Sequence, residues 1–224
     1  MLNELIPNFI YYFDDFKIAI KETLQMMLIS GSLIIIIGLI IGVFLVVTKP
    51  QGILENKNMN RFLDAFTNLV WSIPFFILYM MLFPTVSFLF KQKSLSVIGA
   101  IIPLVIGGIP FFIRQVESAL LDIDAGLIEA AQSMGLSNKD IIIRVYLKES
   151  IPSLARGASI TLIVLFGLTT IAGSFGPGGL GIFVKRYGHD RNMRDILYSS
   201  VFVIILIVSL IQGLGSYIAK KTTH

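Results

Sequence analysis

Glu129-Ala130-Ala131-Gln132-Ser133-Met134-Gly135 stands at the centre of the longest polar stretch of an otherwise oily chain, the run from Arg114 to Arg156. Nine residues separate Gly135 from Val145, and Leu147 follows. Upstream, Asp124 is placed to cap a helix on which Leu127, Ile128, Ala131 and Met134 share one face. Gly135 supplies the left-handed conformation that ends such a helix sharply. Ser137 and Asp140 have capping-box spacing, which opens a second short helix carrying Ile141, Ile142 and Val145. The expectation is helix, sharp turn, helix: an elbow that docks as a rigid body in a groove of a soluble partner, with Glu129 and Gln132 beside its apolar face. The competing reading is an amphipathic helix lying on lipid, but those carry Lys and Arg on their polar face. From Asp122 to Asn138 there is no basic residue, while Asp122, Asp124 and Glu129 are acidic, so an anionic leaflet would repel the segment.

Working outward, the 224 residues are 55% hydrophobic and only 14% charged, with a mean hydropathy of +0.82, which places the chain in a bilayer. Five uncharged stretches, 23–48, 65–90, 94–113, 157–184 and 196–219, each reach the roughly 20 residues that cross about 30 Å of hydrocarbon as a helix. Backbone groups in lipid must be paired within the protein, so long runs without alternating polarity are helices and not barrel strands. The first stretch is too long for a signal-peptide core and is expected to stay as a span. With no cysteine, disulfides and thiolate chemistry are excluded. His224 is terminal and His189 lies in a loop without a neighbouring ligand, so no metal site is expected. The net charge of +4 comes from Lys and Arg scattered at span ends, which fits a membrane protein contacting lipid and not a nucleic-acid surface.

Five spans put the termini on opposite sides. If the N-terminus lies outside, ten Lys and Arg fall inside and eight outside, which does not fix the orientation by itself. Pro74 and Pro84 in the second stretch, Pro103, Gly107, Gly108 and Pro110 in the third, and Gly176-Pro177-Gly178-Gly179-Leu180-Gly181 closing the fourth predict kinks or breaks. Two readings stand for them: an internal pathway, or ordinary packing of membrane helices rich in Gly and Pro. Gly38 with Gly42, and Ser209 with Gly213, have the small-xxx-small spacing that permits close helix approach. No repeat or low-complexity linker divides the chain.

Several motifs join the loop. Ser72-Ile73-Pro74-Phe75, Pro103-Leu104-Val105-Ile106-Gly107 before Pro110-Phe111, Arg114-Gln115-Val116-Glu117-Ser118-Ala119-Leu120, Ala172-Gly173-Ser174 and Gly178-Gly179-Leu180-Gly181 recur with the Glu-Ala-Ala spacing. Together they resemble the methionine-importer branch of ABC importer permeases, over nearly the whole chain from Lys17. The resemblance implies an all-α integral membrane protein of the type I importer class, with five transmembrane helices and a cytoplasmic coupling-helix loop. It implies an extracytoplasmic segment 1–22, a transmembrane domain 23–219 with its fourth span near 157–175 and the loop at 114–156, and a cytoplasmic tail 220–224. The N-terminus is then outside the cytoplasmic membrane and the C-terminus inside.

Two departures stand out. Leu147-Lys148 replaces the Leu-Pro of the family loop, and Gly167-Leu168-Thr169-Thr170-Ile171-Ala172-Gly173 replaces the Gly-Tyr-Ser-Ala-Met-Ala-Gly of its fourth span. The second departure bears on cargo.

Uphill transport needs an energy source, and the chain has neither a phosphate-binding loop nor carboxylates or bases inside its apolar stretches. The resemblance implies a homodimer of this permease, two ABC ATPase subunits holding ATP-Mg, and an extracytoplasmic substrate-binding lipoprotein; this chain binds no cofactor and is not an enzyme. Leu127, Ile128, Glu129, Ala130, Ala131, Gln132, Met134 and Gly135 are the expected ATPase dock, and methionine the expected cargo, with another amino acid or a small peptide as the alternative. Thr161, Thr169, Thr170 and Ser174 are candidates to line the path, against the alternative of hydrogen bonding between helices. A stand-alone channel or secondary carrier is the rival class. A membrane-embedded enzyme lacks the chemistry, with no Cys, no His pair and no carboxylate within the spans.

Overall fold

The computed structural model describes residues 5–91 and 95–222. Ser94, where the third apolar stretch begins, His224 and the outer ends of the expected N-terminal segment and C-terminal tail lie outside the described residues. All regular elements among the described residues are helical: α1 (Pro7–Tyr11), α2 (Phe13–Val47), α3 (Lys57–Trp71), α4 (Phe75–Phe90), α5 (Val97–Leu121), α6 (Ala125–Ser133), α7 (Asn138–Asp140) running into a π-helical turn Ile141–Leu147, α8 (Ile151–Ser174), α9 (Gly179–Phe183) running into a second π-helical turn Val184–His189, and α10 (Arg194–Thr222). Four of these, α2, α5, α8 and α10, are long and apolar enough to cross a membrane, and α3 with α4 counts as a fifth crossing if the pair is one span.

Helix ends depart from the apolar stretches in instructive ways. Helix α2 starts at Phe13, inside the segment expected to precede the first span, because Asp14 and Asp15 suit a helix N-terminus. The second stretch is not one helix. Asn56 caps α3 by accepting the Met59 N–H at 3.1 Å, and the chain leaves helical geometry at Pro74, whose ψ is 132°. Pro84, by contrast, sits inside α4, and α5 runs from Val97 to Leu121 with Pro103 and Pro110 inside it, so the helix does not break at these residues. Glycines next to those prolines serve packing: a Cβ on Gly107 would lie 2.8 Å from the Phe75 ring, and one on Gly108 would strike Ile34. Helix α5 also continues past Ile113 to Leu121, because Arg114 and Glu117 find charged partners.

Two compact units divide the chain. The first comprises Met1–Leu33, Ile73–Gly107 and Leu162–Ile211. Its core gathers Phe9, Phe16, Ala19, Met27, Phe166, Leu180, Phe183 and Ile196. The Asp195 carboxylate accepts the N–H groups of Asn8 and Phe9, at 2.8 and 3.1 Å, which fixes α1 to the start of α10. The second comprises Ile34–Ser72, Gly108–Thr161 and Gln212–His224. There Gly38 and Gly42 admit Phe112 and Val116 so closely that a Cβ would come within 2.8 and 2.7 Å of them. That small-xxx-small pair is therefore filled inside the chain, whereas Gly213 faces open space.

Candidate functional site

The loop after α5 folds as the spacing predicts. Asp124 Oδ1 accepts the Gly126 N–H at 2.6 Å and opens α6. At its end, Gly135 has φ +76°, the Gly135 N–H reaches Gln132 O at 2.9 Å and the Leu136 N–H reaches Ala131 O at 3.2 Å. This paired closure satisfies carbonyls that a helix end otherwise leaves bare. Ser137 Oγ then accepts the Asp140 N–H at 3.2 Å and donates to Asp140 Oδ2 at 2.6 Å, starting the second arm. The second short helix expected to carry Ile141, Ile142 and Val145 is present, and those residues lie in its π-helical turn. That turn buries Ile141 and Tyr146, and burial pushes the Tyr146 phenol above its ordinary pKa.

The apolar face of α6 splits. Ala131 is buried and Ile128 half-buried, while Leu127 and Met134 are 49% and 71% exposed. Glu129, Ala130, Gln132 and Gly135 are exposed too. The elbow thus spends its inner residues on its own rigidity and offers Leu127 and Met134, rimmed by Glu129 and Gln132, outward.

A second constellation surrounds Gly178-Gly179-Leu180-Gly181. Three glycines turn the chain through left-handed geometry, with φ +116° at Gly176, +106° at Gly178 and +82° at Gly179. Helix α2 caps the short α9 from the side: Glu22 Oε2 accepts the Gly179 N–H at 2.7 Å and Thr23 Oγ1 accepts the Leu180 N–H at 2.8 Å. Glu22 lies between a cavity of about 250 Å³, shared with Asp15, Arg186 and Tyr187, and one of about 670 Å³, shared with Gln25, Leu95 and Pro177. The Tyr187 hydroxyl donates to Asp15 at 2.8 Å; that bond, with some burial, holds its pKa above the usual range against the opposing pull of Arg186. A charge-assisted hydrogen bond contributes about 1.5–3 kcal/mol. Glu22→Ala is therefore expected to lower the thermal midpoint of the detergent-solubilised protein, and Glu22→Gln, which keeps an acceptor, to lower it less. Equal midpoints for wild type and Glu22→Ala would show that α9 needs no cap.

All four path candidates hydrogen-bond within their own helix. Thr161 donates to Gly157 O, Thr169 and Thr170 both to Phe166 O, and Ser174 to Ile171 O. Thr161 and Thr169 are buried, Thr170 and Ser174 half-buried. Each hydroxyl thus returns to its own helix, and neither expected role, lining or bridging, is needed to satisfy it.

Sequence reasoning missed two features. The Glu22 and Thr23 caps were hidden because their targets lie 157 residues away. The other is a polar cluster that unites Lys49, Asp64, Asn68, Arg114 and Glu117; the three-residue spacing of Arg114 and Glu117 was its only visible trace.

A helical membrane subunit with a capped elbow between its third and fourth apolar segments has the type I importer permease fold, and the comparisons agree. The chain belongs to the family of binding-protein-dependent transport system inner membrane components, whose model matches residues 34–223. It is 42% identical over 203 residues to a probable D-methionine transport system permease, MetI, of Pasteurella multocida, covering 91% of this chain and 93% of that one. Against the methionine import system permease MetP of Bacillus subtilis it is 40% identical over 176 residues, 79% of each chain. Among solved structures, a chain of the inward-facing MetNI methionine ABC transporter matches with a TM-score of 0.87 at 38% identity, covering 91% of this chain and 94% of that chain. An amino acid ABC transporter solved with histidines shares the fold at 13% identity and a TM-score of 0.79. The chain is accordingly a multi-pass permease component of an ABC importer.

Proposed function

We propose that this chain is the permease subunit of an ATP-driven methionine importer, working as a homodimer with two ATPase subunits and fed by an extracytoplasmic binding protein. The observation that carries the proposal is the elbow. A rigid, capped corner exposing Leu127 and Met134 has the form required to receive a push from a soluble motor, and the permeases it most resembles among those compared above are named for methionine. Leu127, Ile128, Glu129, Ala130, Ala131, Gln132, Met134 and Gly135 then form the ATPase dock on the cytoplasmic side. With that loop inside, the 1–22 segment lies outside and the 220–224 tail inside. ATP-Mg binds the ATPase pair, the elbows move together, and the spans pass from inward-open to outward-open by alternating access. Thr161, Thr169, Thr170 and Ser174 contribute to the path by exchanging their own-helix hydrogen bonds for cargo or water as the helices move.

Reconstitution tests this directly. Proteoliposomes holding the permease, its ATPase and its binding protein are expected to take up labelled methionine only with ATP, and unlabelled methionine is expected to compete better than any other amino acid or a dipeptide. Uptake without the ATPase would identify a stand-alone carrier or channel. Preferential competition by another solute would keep the architecture and replace the cargo, with Thr169 and Thr170 the first residues to exchange for the Ser and Ala of the methionine branch.

A further inference from the structure

We propose that Arg114, held by Glu117, is the positioning joint through which movement of the loop after α5 reaches α3. The inference rests on that loop being the ATPase dock. Arg114 and Glu117 occupy the last two turns of α5, and only Asp122-Ile123-Asp124 separate that helix from α6. The Arg114 guanidinium is shared between two elements. Its Nη1 donates to Glu117 Oε2 within α5, while its Nη2 donates across to α3, to Asp64 Oδ1 at 2.7 Å and Asn68 Oδ1 at 2.6 Å. Lys49, just past the end of α2, pairs with the other Glu117 oxygen at 2.7 Å.

Helix α3 is built to be held this way. Three of its polar residues are tied to neighbouring elements: Asn60 Nδ2 donates to Leu45 O at 2.7 Å, and Asp64 and Asn68 receive Arg114. Its apolar residues Met59, Phe62, Phe66 and Leu69 are all exposed, by 46% to 67%. Thr67 alone is fully buried on this helix. An apolar interface tolerates sliding because dispersion contacts have little directionality, whereas a guanidinium fork demands fixed geometry from every acceptor. A displacement of α5 must therefore either carry α3 with it or break the fork. From Trp71 the chain passes through Ser72, still helical in its dihedrals, to the break at Pro74, so α3 ends close to where the backbone leaves regular helix. In this role Arg114 acts through α3.

The test is the ratio of methionine taken up to ATP hydrolysed by reconstituted complex. Arg114→Gln is expected to assemble with the ATPase, keep at least half of its hydrolysis, and lose about fivefold in the ratio. Arg114→Lys keeps the charge without the fork and is expected to stay low, which a purely charge-based role would not produce. Asp64→Asn, made in the wild-type background, keeps an acceptor for Arg114 and is expected to retain near-normal coupling. A wild-type ratio in assembled Arg114→Gln overturns the joint, as does a parallel fall of hydrolysis and uptake. Should Arg114→Gln fail to assemble, Asn68→Ala decides: a reduced ratio supports the joint and an unchanged ratio overturns it. Failure of the wild-type complex to import with ATP instead overturns the functional proposal, independently of Arg114.

Discussion

Replacing Gly135 by valine is expected to reduce both permease-dependent ATPase stimulation and methionine uptake by about tenfold, while the protein still inserts and purifies. Gly135 has φ +76°, and no atom outside its own neighbours lies within 4 Å of where its Cβ would be. The penalty is thus conformational and not a collision. A left-handed backbone disfavours an L-residue by roughly 1–2 kcal/mol, and a β-branched side chain suffers most. That energy shifts a two-state population by a factor of about 5–30. The state lost is the one in which Leu136 N–H closes on Ala131 O and the second arm starts at Ser137, so Leu127 and Met134 no longer sit at a fixed angle to Ile141. Asparagine tolerates left-handed geometry, and Gly135→Asn is expected to keep most of the activity. Wild-type coupling in Gly135→Val would separate the elbow from energy transfer. Equal damage from Asn and Val would point to the missing side chain itself and not to the backbone.

The elbow was legible in the sequence because every signal in it is local. Asp124, Gly135 and Ser137 act on backbone groups within five residues, and the helix, turn and second arm follow from them. The membrane class was legible for a similar reason, since an apolar run of span length needs no partner to be recognised. What was not legible depended on distant partners. Pro74 breaks the backbone while Pro84, Pro103 and Pro110 do not, and nothing in the dipeptides themselves separates these cases. Arg114 and Glu117 read as the start of a polar loop, yet paired with Lys49 and Asp64 they belong inside a helix. The partners of α3 were hidden in the same way: Asn60 binds Leu45 O, and Asp64 and Asn68 bind Arg114, 15 to 50 residues away in sequence. Thr161, Thr169, Thr170 and Ser174 were visible as polar residues in an apolar helix, and their return to their own carbonyls was a bland outcome that composition cannot distinguish from lining.

Gly181→Ala is expected to be the most damaging single-methyl addition in the first unit, abolishing accumulation of stable protein or sharply lowering its thermal midpoint. At this point α8 and α9 meet backbone to backbone. A Cβ on Gly181 would overlap the carbonyl oxygen of Thr170 and lie 3.1 Å from Ser174 N, and one on Gly173 would lie 2.6 Å from Gly178 O. None of these atoms is the tip of a flexible side chain. The methyl group is accommodated only by moving α9 away from α8, and α9 is not free to move: Glu22 and Thr23 hold its first N–H groups, while Leu180 and Phe183 are buried in the core with Phe16 and Phe166. Overpacking of this kind typically costs about 1–3 kcal/mol, and here it also strains two caps worth roughly 1 kcal/mol or more each. For a chain of this size each kcal/mol lowers the midpoint by about 2–4 °C. Gly167→Ala on the same helix α8 is the matched control, because its Cβ would meet nothing within 4 Å. It is expected to melt with the wild type, and in a helix interior alanine is the better residue by up to about 1 kcal/mol. If Gly181→Ala and Gly167→Ala melt together, the close crossing of α8 and α9 does not exist in the membrane protein, and the Gly-Gly-Leu-Gly run owes its presence to something other than packing.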